Sequence, residues 1–520
     1  MPDQSKVSRR KFLGGTVAAS AALAAGGLSA PSQAFAARSI PAKWDMETDV
    51  LVVGFGAGGS AATLEARAAG AKVTVIERMP TGGGAVTRSG GIIYMGGGTR
   101  LQKELGIADT RESMYNYLTS AVGYGADTEL IGVYCDKSPE LYDWLTSKGV
   151  KFKKTFLAGK YVVPPTDDGL VYSGNEEQEP YRTIAKPAPR GHHAQAPGFS
   201  GHAIYTPLKA AVEASGAEVL YNTQAKALVV DAKGRVAGLV ATSNGKEKHI
   251  KAKRGVVLTT GGFGANKDMI GQHCPAYKDC GVFIGTSGDD GSGIRMGQSV
   301  GTDVRLLGEA IAYNAIYGPH ESLVKGILVN DRGQRYVGED NYGDWVGDLT
   351  ARHYPASYLI IDEKIMQGIP EDARKALQPD APVNGLVAQA DSVAELAKAL
   401  KIPVPLLENT IKQYNEMSAA GEDIQFQKNA KYMQGISAGP FYALDFSPKG
   451  IWFVTKGGLK INKKSQALDP EGKPVPGLYC AGTICSQIIA QHYPGSGTLN
   501  GQALTFGRIA GQNVAAEKPI

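Results

Sequence analysis

The stretch TDVLVVGFGAGGSAATLEARAAGAKVTVIE, residues 48–77, decides the fold. It opens on an apolar run, turns at Gly54-x-Gly56-x-x-Gly59, continues as a small-faced helix ending near Gly70, and closes on a second apolar run with Glu77. Each part has a physical task. The glycines allow a tight turn and let the backbone, with Ala57 and Gly58 in the first helical turn, reach a pyrophosphate at the helix N-terminus. Glu77 stands where a carboxylate accepts the hydrogen bonds of a ribose diol. The spacing predicts an α/β fold with a dinucleotide-binding strand–helix–strand unit, and by itself it does not separate FAD from NAD.

Working outward, TGGGAVTRSGG at 81–91 is a second glycine-rich loop immediately after the acid. Such a loop suits the longer diphosphate and ribityl chain of FAD, and with Arg78 it supplies Arg88, Ser89, Gly90 and Gly91 as cofactor candidates. Strand patterns recur at AEVLYN (217–222), KALVVD (226–231, just after Ala225) and RVAGLVA (235–241), the last two joined by Lys233-Gly234. Beyond them GVVLTTGGFGAN (255–266) runs a strand into Thr260, Gly261 and Gly262, and GLYCAGTI (477–484) runs another into Gly482. The cofactor domain is therefore assembled from distant segments, and Asp290, Ala503 and Leu504 complete its candidate set. Residues 302–438 read as an insertion with its own core: YLIID (358–362) is strand-like, and SVAELAKALKI and VPLLENTIKQYNEMSAAG carry apolar residues at helical spacing.

Composition bounds the function classes. Glycine makes up 67 of 520 residues, about 13% against a usual share of roughly 7%. The excess points to backbone approaching ligands closely. Residues 1–36 read as a twin-arginine export signal, with Arg9-Arg10, a mildly apolar Ala/Gly stretch and a small-residue site around Ala34-Phe35-Ala36. Export implies a periplasmic protein with no stable membrane insertion. The formal net charge of +5 includes Lys6, Arg9, Arg10 and Lys11 against Asp3 in that segment, so the mature chain is near neutral and carries no nucleic-acid footprint. Cys135, Cys274, Cys280, Cys480 and Cys485 form no CxxC, which predicts no attached haem and no structural metal site. Cys274 and Cys280 remain open as either a disulfide or two buried thiols.

Several of these segments, with SGDDGSGIRMGQSVG (287–301), GILVNDRGQRYVGED (326–340) and TFGRIAG (505–511), resemble the fumarate reductase and 3-ketosteroid dehydrogenase superfamily over nearly all of the mature chain. The resemblance implies a glutathione-reductase-type FAD Rossmann domain, residues 45–301 and 439–520, with an inserted α+β substrate (capping) domain at 302–438. Substrate is implied to lie between them over the flavin. Where the fumarate-reducing branch keeps arginines and a histidine to clamp two carboxylates, this chain has Tyr342-Gly343-Asp344, Val454-Thr455-Lys456-Gly457-Gly458 and Gly497-Thr498-Leu499-Asn500-Gly501. A dianion in a pocket without such a clamp is left unpaired at a cost of several kcal/mol per ion.

Glu339-Asp340-Asn341-Tyr342-Gly343 is similar to the E-x-x-Y-G of the 3-ketosteroid Δ4-dehydrogenases, and the run from Tyr493 to Gly507 to the C-terminal run of the Δ1-dehydrogenases. By that resemblance Tyr342 is the proton acceptor, and the Tyr493 hydroxyl and the Gly497 N–H grip the ketone oxygen. Ser496 takes the place of the Δ4 serine if one residue is inserted, and Tyr172 in GLVYSGNE is nominated as a third tyrosine. The chemistry needs such groups, because an α proton must leave to a base while donors stabilise the developing enolate. A helix starting near Leu499 would turn its positive end toward the reduced flavin. Arg190, His192 and His193, in PRGHHAQ, either line a mouth or cap a loop. The expected function is FAD-dependent dehydrogenation beside the ketone of a steroid-like molecule, with a separate quinone or cytochrome as electron partner. The alternatives are a periplasmic reductase of an enone or unsaturated carboxylic acid fed by a cytochrome, for which Arg190 and Lys456 are the first cations to consider, and a flavin electron carrier.

Overall fold

The structure is a computed structural model, and it describes residues 35–318, 320–381 and 383–520. The export-signal reading therefore lies outside the described residues, apart from Phe35 and Ala36.

Strand Met46–Val53 runs through the middle of a nine-stranded sheet, with Val50, Leu51 and Val52 fully buried. A strand covered on both faces reads as a continuous apolar run, as this one does. Val73–Ile76 and then Glu218–Leu220 pair parallel on one side of it, and Lys246–Leu258 pairs parallel on the other. That long strand serves two partners along its second edge. Residues 246–251 form an antiparallel hairpin with Val236–Ser243, while Val256, Val257 and Leu258 pair parallel with Leu478, Tyr479 and Cys480 of Pro474–Cys480. The parallel strands end on the same edge, which brings Gly54, Thr259 and Ala481 together from three distant parts of the chain.

The C-terminal helix Thr498–Ala515 lies on the first helix, Ala57–Ala68, at glycine-to-backbone distance. A Cβ built on Gly507 would stand 2.5 Å from Gly58 O, and one on Gly511 would stand 2.2 Å from Ala62 O. Arg508 flanks this contact, with Nε 2.9 Å from Glu65 and Nη2 2.6 Å from Glu140.

The inserted domain is an antiparallel sheet in the order Ile327–Asn330, Ser357–Asp362, Phe441–Asp445, Leu386–Ala390. Helices Val393–Ala399 and Val404–Ala420 share its core, the latter ending at Gly421 in the left-handed conformation (φ 74°). Both expected boundaries shift. Val304–Arg305 still pairs with Gly458–Lys460 on the flavin-domain side, whereas Phe441–Asp445 is an inner strand of the cap sheet. The cap core runs from Ile316 to Phe446. Trp452–Thr455 then pairs with Ala310–Tyr313, so the strand entering the cap and the strand leaving it are stitched side by side.

All five cysteines are buried free thiols, which closes the question of a Cys274–Cys280 bridge in this structure; burial pushes both thiols up to about 12.

Gly507→Val should separate the two small-faced helices. The expected loss is about 1–3 kcal/mol of stability, as for other overpacked cores, read as a lower midpoint in chemical denaturation.

Candidate active site

Where the parallel strands end, the chain leaves a cleft of about 540 Å³ running from the Gly54 turn to the C-terminal tyrosine loop. Ligands of open α/β sheets sit at this carboxyl edge. Gly54 turns the first strand with φ 101°, and its N–H is held by Ile76 O at 2.8 Å. The second glycine loop is tied to the first through Gly83 N–H and Phe55 O at 2.8 Å. Glu77 is locked at the rim, accepting Phe55 N–H and Met79 N–H at 2.9 Å each.

The cleft fits a dinucleotide on the residues themselves. A Cβ at Gly56 would meet no protein atom nearer than Gly83 O at 3.5 Å, and one at Gly482 none nearer than Ala503 Cβ at 3.9 Å, so both backbones present an open face. Thr260 and Gly261 line the same space.

At the far end, Tyr342, Tyr493, Ser496 and Gly497 line the cleft together. Tyr342 Oη lies 2.7 Å from Ser496 Oγ, and the two tyrosine rings are 6.1 Å apart. Burial, with the Tyr493 and Tyr317 phenols, raises the Tyr342 phenol well above its ordinary value, against the Ser496 hydrogen bond that lowers it. Tyr493 Oη accepts the N–H groups of Gly497 at 3.1 Å and Leu499 at 3.2 Å. Burial raises this phenol too, and those two N–H groups oppose the rise.

The supports are buried and charged. Glu339 accepts Arg335 at 3.0 and 2.8 Å and Leu328 N–H at 3.0 Å, which fixes the segment carrying Tyr342. Burial pushes its carboxyl up, but Lys428 and Arg335 prevail and hold it below the ordinary range. Asp344 joins the two tyrosines: it lies two residues after Tyr342 and accepts Tyr493 N–H at 2.6 Å and Ala312 N–H at 3.0 Å. Burial pushes its carboxyl up to about 7, against the pull of Lys456.

Residues 49–499 match the family described as FAD binding domain. A solved 3-ketosteroid-Δ4-(5α)-dehydrogenase from Rhodococcus jostii, in complex with 4-androstene-3,17-dione, is 38% identical with a TM-score of 0.86, over 93% of this chain and 100% of that one. The chain belongs to the FAD-binding flavoprotein family, in its 3-ketosteroid dehydrogenase branch. A 3-oxo-5-alpha-steroid 4-dehydrogenase of Comamonas testosteroni is 29% identical over 85% of this chain and 93% of its own length. An NADH:acrylate oxidoreductase of Vibrio harveyi is 28% identical over 90% of this chain, which spans 50% of that longer protein. The cofactor of this flavoprotein is FAD, and the protein is an oxidoreductase.

Within the flavoprotein cleft the sequence candidates divide. Gly54, Gly56, Ala57, Gly58, Glu77, Arg78, Arg88, Ser89, Gly90, Ala225, Thr260, Gly261, Gly482 and Ala503 line it. Gly59, Gly91, Gly262, Asp290 and Leu504 do not. Gly59 packs on Gly54 O, Gly91 on Ser200 and Leu504 into the core between the helices. Asp290 is turned away to Arg78 at 2.7 Å and Ser292 N–H at 2.9 Å, while its neighbour Asp289 lines the cleft and accepts Gly262 N–H at 3.1 Å. Two adjacent acids in SGDDGSG gave the sequence no way to choose.

Tyr172 is also outside the cleft; its ring packs edge-on against Phe156 at 5.9 Å. Tyr313, which sequence reading missed, takes a place beside Tyr342 with rings 5.3 Å apart. Arg190 is fully buried against Asp109 at 2.7 Å, and Lys456 Nζ is buried on Gln491 O at 2.5 Å, so neither cation reaches the cleft. His192 is a core residue bound to Thr99 at 2.8 Å, and His193 caps the loop at Ser200 at 2.8 Å. Among the described residues no cluster of His, Cys, Asp and Glu is placed to hold a metal, and no helix is long and apolar enough to cross a membrane.

Because the Cβ of residue 56 has room in the protein but would occupy the space a pyrophosphate needs, Gly56→Val should fold with a native circular dichroism spectrum yet purify without the yellow absorbance of flavin.

Proposed function

We propose that this flavoprotein dehydrogenates a 3-ketosteroid at a C–C bond next to its ketone. The observation that carries the reading is the composition of the far end of the cleft: three tyrosines and a serine surround it, and the cations that line the cleft, Arg78 and Arg88, belong to the cofactor end. Arg78 is paired with Asp290, and Arg88 donates to Gly285 O at 2.6 Å. A dicarboxylate would leave its charges unpaired there, whereas a neutral ketone needs a hydrogen-bond donor and a base. The relatives crystallised with, or named for, 3-ketosteroids support the same reading.

In this reading Tyr493 is the ketone donor. Its oxygen is already occupied by the N–H groups of Gly497 and Leu499, so its own proton is the one free to point at the substrate. This changes the role expected of Gly497, whose N–H acts on the ketone through the tyrosine: as negative charge develops on the ketone oxygen, the helix N-terminus stabilises the charge that Tyr493 takes on. Tyr342 is the base. In its phenolate form it accepts the α proton and becomes the neutral phenol, while the Ser496 hydroxyl donates to the phenolate and offsets part of the cost of burying it. Bound FAD supplies the hydride acceptor. The cap holds Tyr342 through Glu339, and Asp344, two residues on, holds the C-terminal loop at Tyr493, so the base and the donor keep their spacing without substrate.

Export by the twin-arginine route, a periplasmic location and a quinone or cytochrome as electron acceptor belong to the same proposal. They rest on the Arg9-Arg10 segment and on the need to reoxidise the flavin.

A phenol raised by burial is protonated at neutral pH, so its base form grows as pH rises. The rate constant for flavin reduction by a saturated 3-ketosteroid should climb from about pH 6 to about pH 9 without a plateau, since even an unperturbed tyrosine titrates near 10. Ser496→Ala should move that limb to higher pH, and Tyr342→Phe should remove it and slow the step by roughly 10²–10⁴. A flat pH profile in the native enzyme would reject Tyr342 as the base.

Tyr493→Phe deletes a single donor and should cost about 2.7–4 kcal/mol in the barrier, as for an oxyanion-hole deletion, with the FAD spectrum unchanged. Fumarate should not reoxidise the dithionite-reduced protein rapidly. Rapid reoxidation by fumarate combined with no spectral response to ketosteroids would reverse the substrate assignment.

A further inference from the structure

The mouth of the cleft carries an aromatic pair that the chemistry above does not use. Phe199 is 53% exposed although it lines the cleft, and it stacks on Trp452 with ring centroids 6.1 Å apart and planes 27° apart. Isolated exposed apolar side chains are common and need no explanation. This one meets a second aromatic from another part of the fold. Phe199 stands just before helix Gly201–Ala214 of the flavin domain, and Trp452 stands on the strand that returns from the cap.

Both positions are fixed. Next to Phe199, Ser200 Oγ lies 2.8 Å from His193 Nε2, and His193 Nδ1 donates to Asp168 O at 3.1 Å, so the imidazole of the GHH segment anchors the loop. Trp452 is the cross-strand partner of Tyr313. From there the aromatic lining continues inward, Tyr313 to Tyr342 at 5.3 Å and Tyr342 to Tyr493 at 6.1 Å. Val162 and Val163 add aliphatic walls beside the cleft. A ketone oxygen held at Tyr493 therefore lies at one end of an aromatic lane whose other end is Phe199 and Trp452.

We propose that Phe199 and Trp452 form a specificity-determining clamp that holds the non-reacting rings of a flat, apolar, polycyclic ketone while its carbonyl reaches Tyr493. The clamp rests on the ketosteroid reading and deepens it: small monocyclic ketones reach the tyrosines without touching the mouth, and only a molecule several fused rings long spans the lane. The two rings come from segments about 250 residues apart in the chain and already stack on each other, so a flat ligand laid along the lane contacts both.

The test uses the purified FAD-bound protein. Anaerobic titrations of the flavin spectrum with a tetracyclic 3-ketosteroid and with cyclohexanone, on the native protein and on Phe199→Ala, read the two affinities separately. The steroid should bind about tenfold more weakly to the variant, a change of about 1.4 kcal/mol, with cyclohexanone affinity and the limiting rate of flavin reduction unchanged. Phe199→Tyr should restore steroid affinity. Unchanged steroid affinity in Phe199→Ala, equal weakening of both ketones, or no recovery in Phe199→Tyr would overturn the clamp and leave the ketosteroid reading standing. A native protein whose flavin responds to no ketosteroid would overturn both.

Discussion

The contact between helices Ala57–Ala68 and Thr498–Ala515 is the constraint on which the rest of the site depends. It joins the beginning of the dinucleotide unit to the end of the chain, and it works because both faces are nearly bare of side chains. Gly507 and Gly511 approach the backbone of Gly58 and Ala62 at distances that leave no space for a methyl group. Close backbone approach of this kind fixes the helices in direction and register, since few other arrangements fill the space as well. Gly507 lies on Gly58 and Gly511 on Ala62, so the two helices run parallel and the second is aimed toward the cleft beside the first, while Gly497, with φ 91°, turns the chain so that the loop from Tyr493 lies along the cleft wall.

Charges placed out of water set the tyrosines. Arg335, Glu339, Asp423 and Lys428 form a buried network in the cap, and Asp344 accepts the N–H groups of Tyr493 and Ala312 with Lys456 and Asp348 acting on its charge. Buried ion pairs are a weak source of stability because desolvation offsets much of the attraction. Their contribution here is geometric. Glu339 accepts the N–H of Leu328 and Asp344 those of Ala312 and Tyr493, so the cap strand, the Tyr342 segment and the C-terminal loop cannot slide independently. The raised carboxyl of Asp344 shows the tension in that arrangement: its charged form is useful as an acceptor and costly to bury.

Phenols suit such a surround better than carboxylates or histidines. A buried tyrosine is neutral in its resting state, so the cleft end presents hydroxyl groups without a permanent charge. The two phenols nonetheless differ. Tyr493 is wrapped by N–H donors of a helix N-terminus, which favours negative charge on its oxygen, while Tyr342 has one hydroxyl partner and two aromatic neighbours. The same residue type thereby stands in two different electrostatic environments.

The sequence by itself determined what is local. The 48–77 unit, the second glycine loop and the recurrent strand-to-glycine runs follow from period, turn chemistry and spacing within a few tens of residues, and they carry the parallel sheet and the cofactor class. The strands at 217–222, 226–231, 235–241 and 358–362 and the helix ending at Gly421 are legible for the same reason. Tertiary structure decided what depends on the direction of one side chain. Asp289 and Asp290 are adjacent in sequence, yet only Asp289 lines the cleft; Tyr172 and Tyr313 are both tyrosines on short strands, yet only Tyr313 lines it. The cap boundary at Phe441–Asp445 was hidden because strand pairing, not composition, assigns that segment to its sheet. The Gly497 N–H was expected to meet a ligand and meets the Tyr493 oxygen instead, because a helix start is read from residues but its target is set by the loop that folds back over it. Pairing, facing and closure over distances of hundreds of residues are properties of the packed molecule, and no local pattern encodes them.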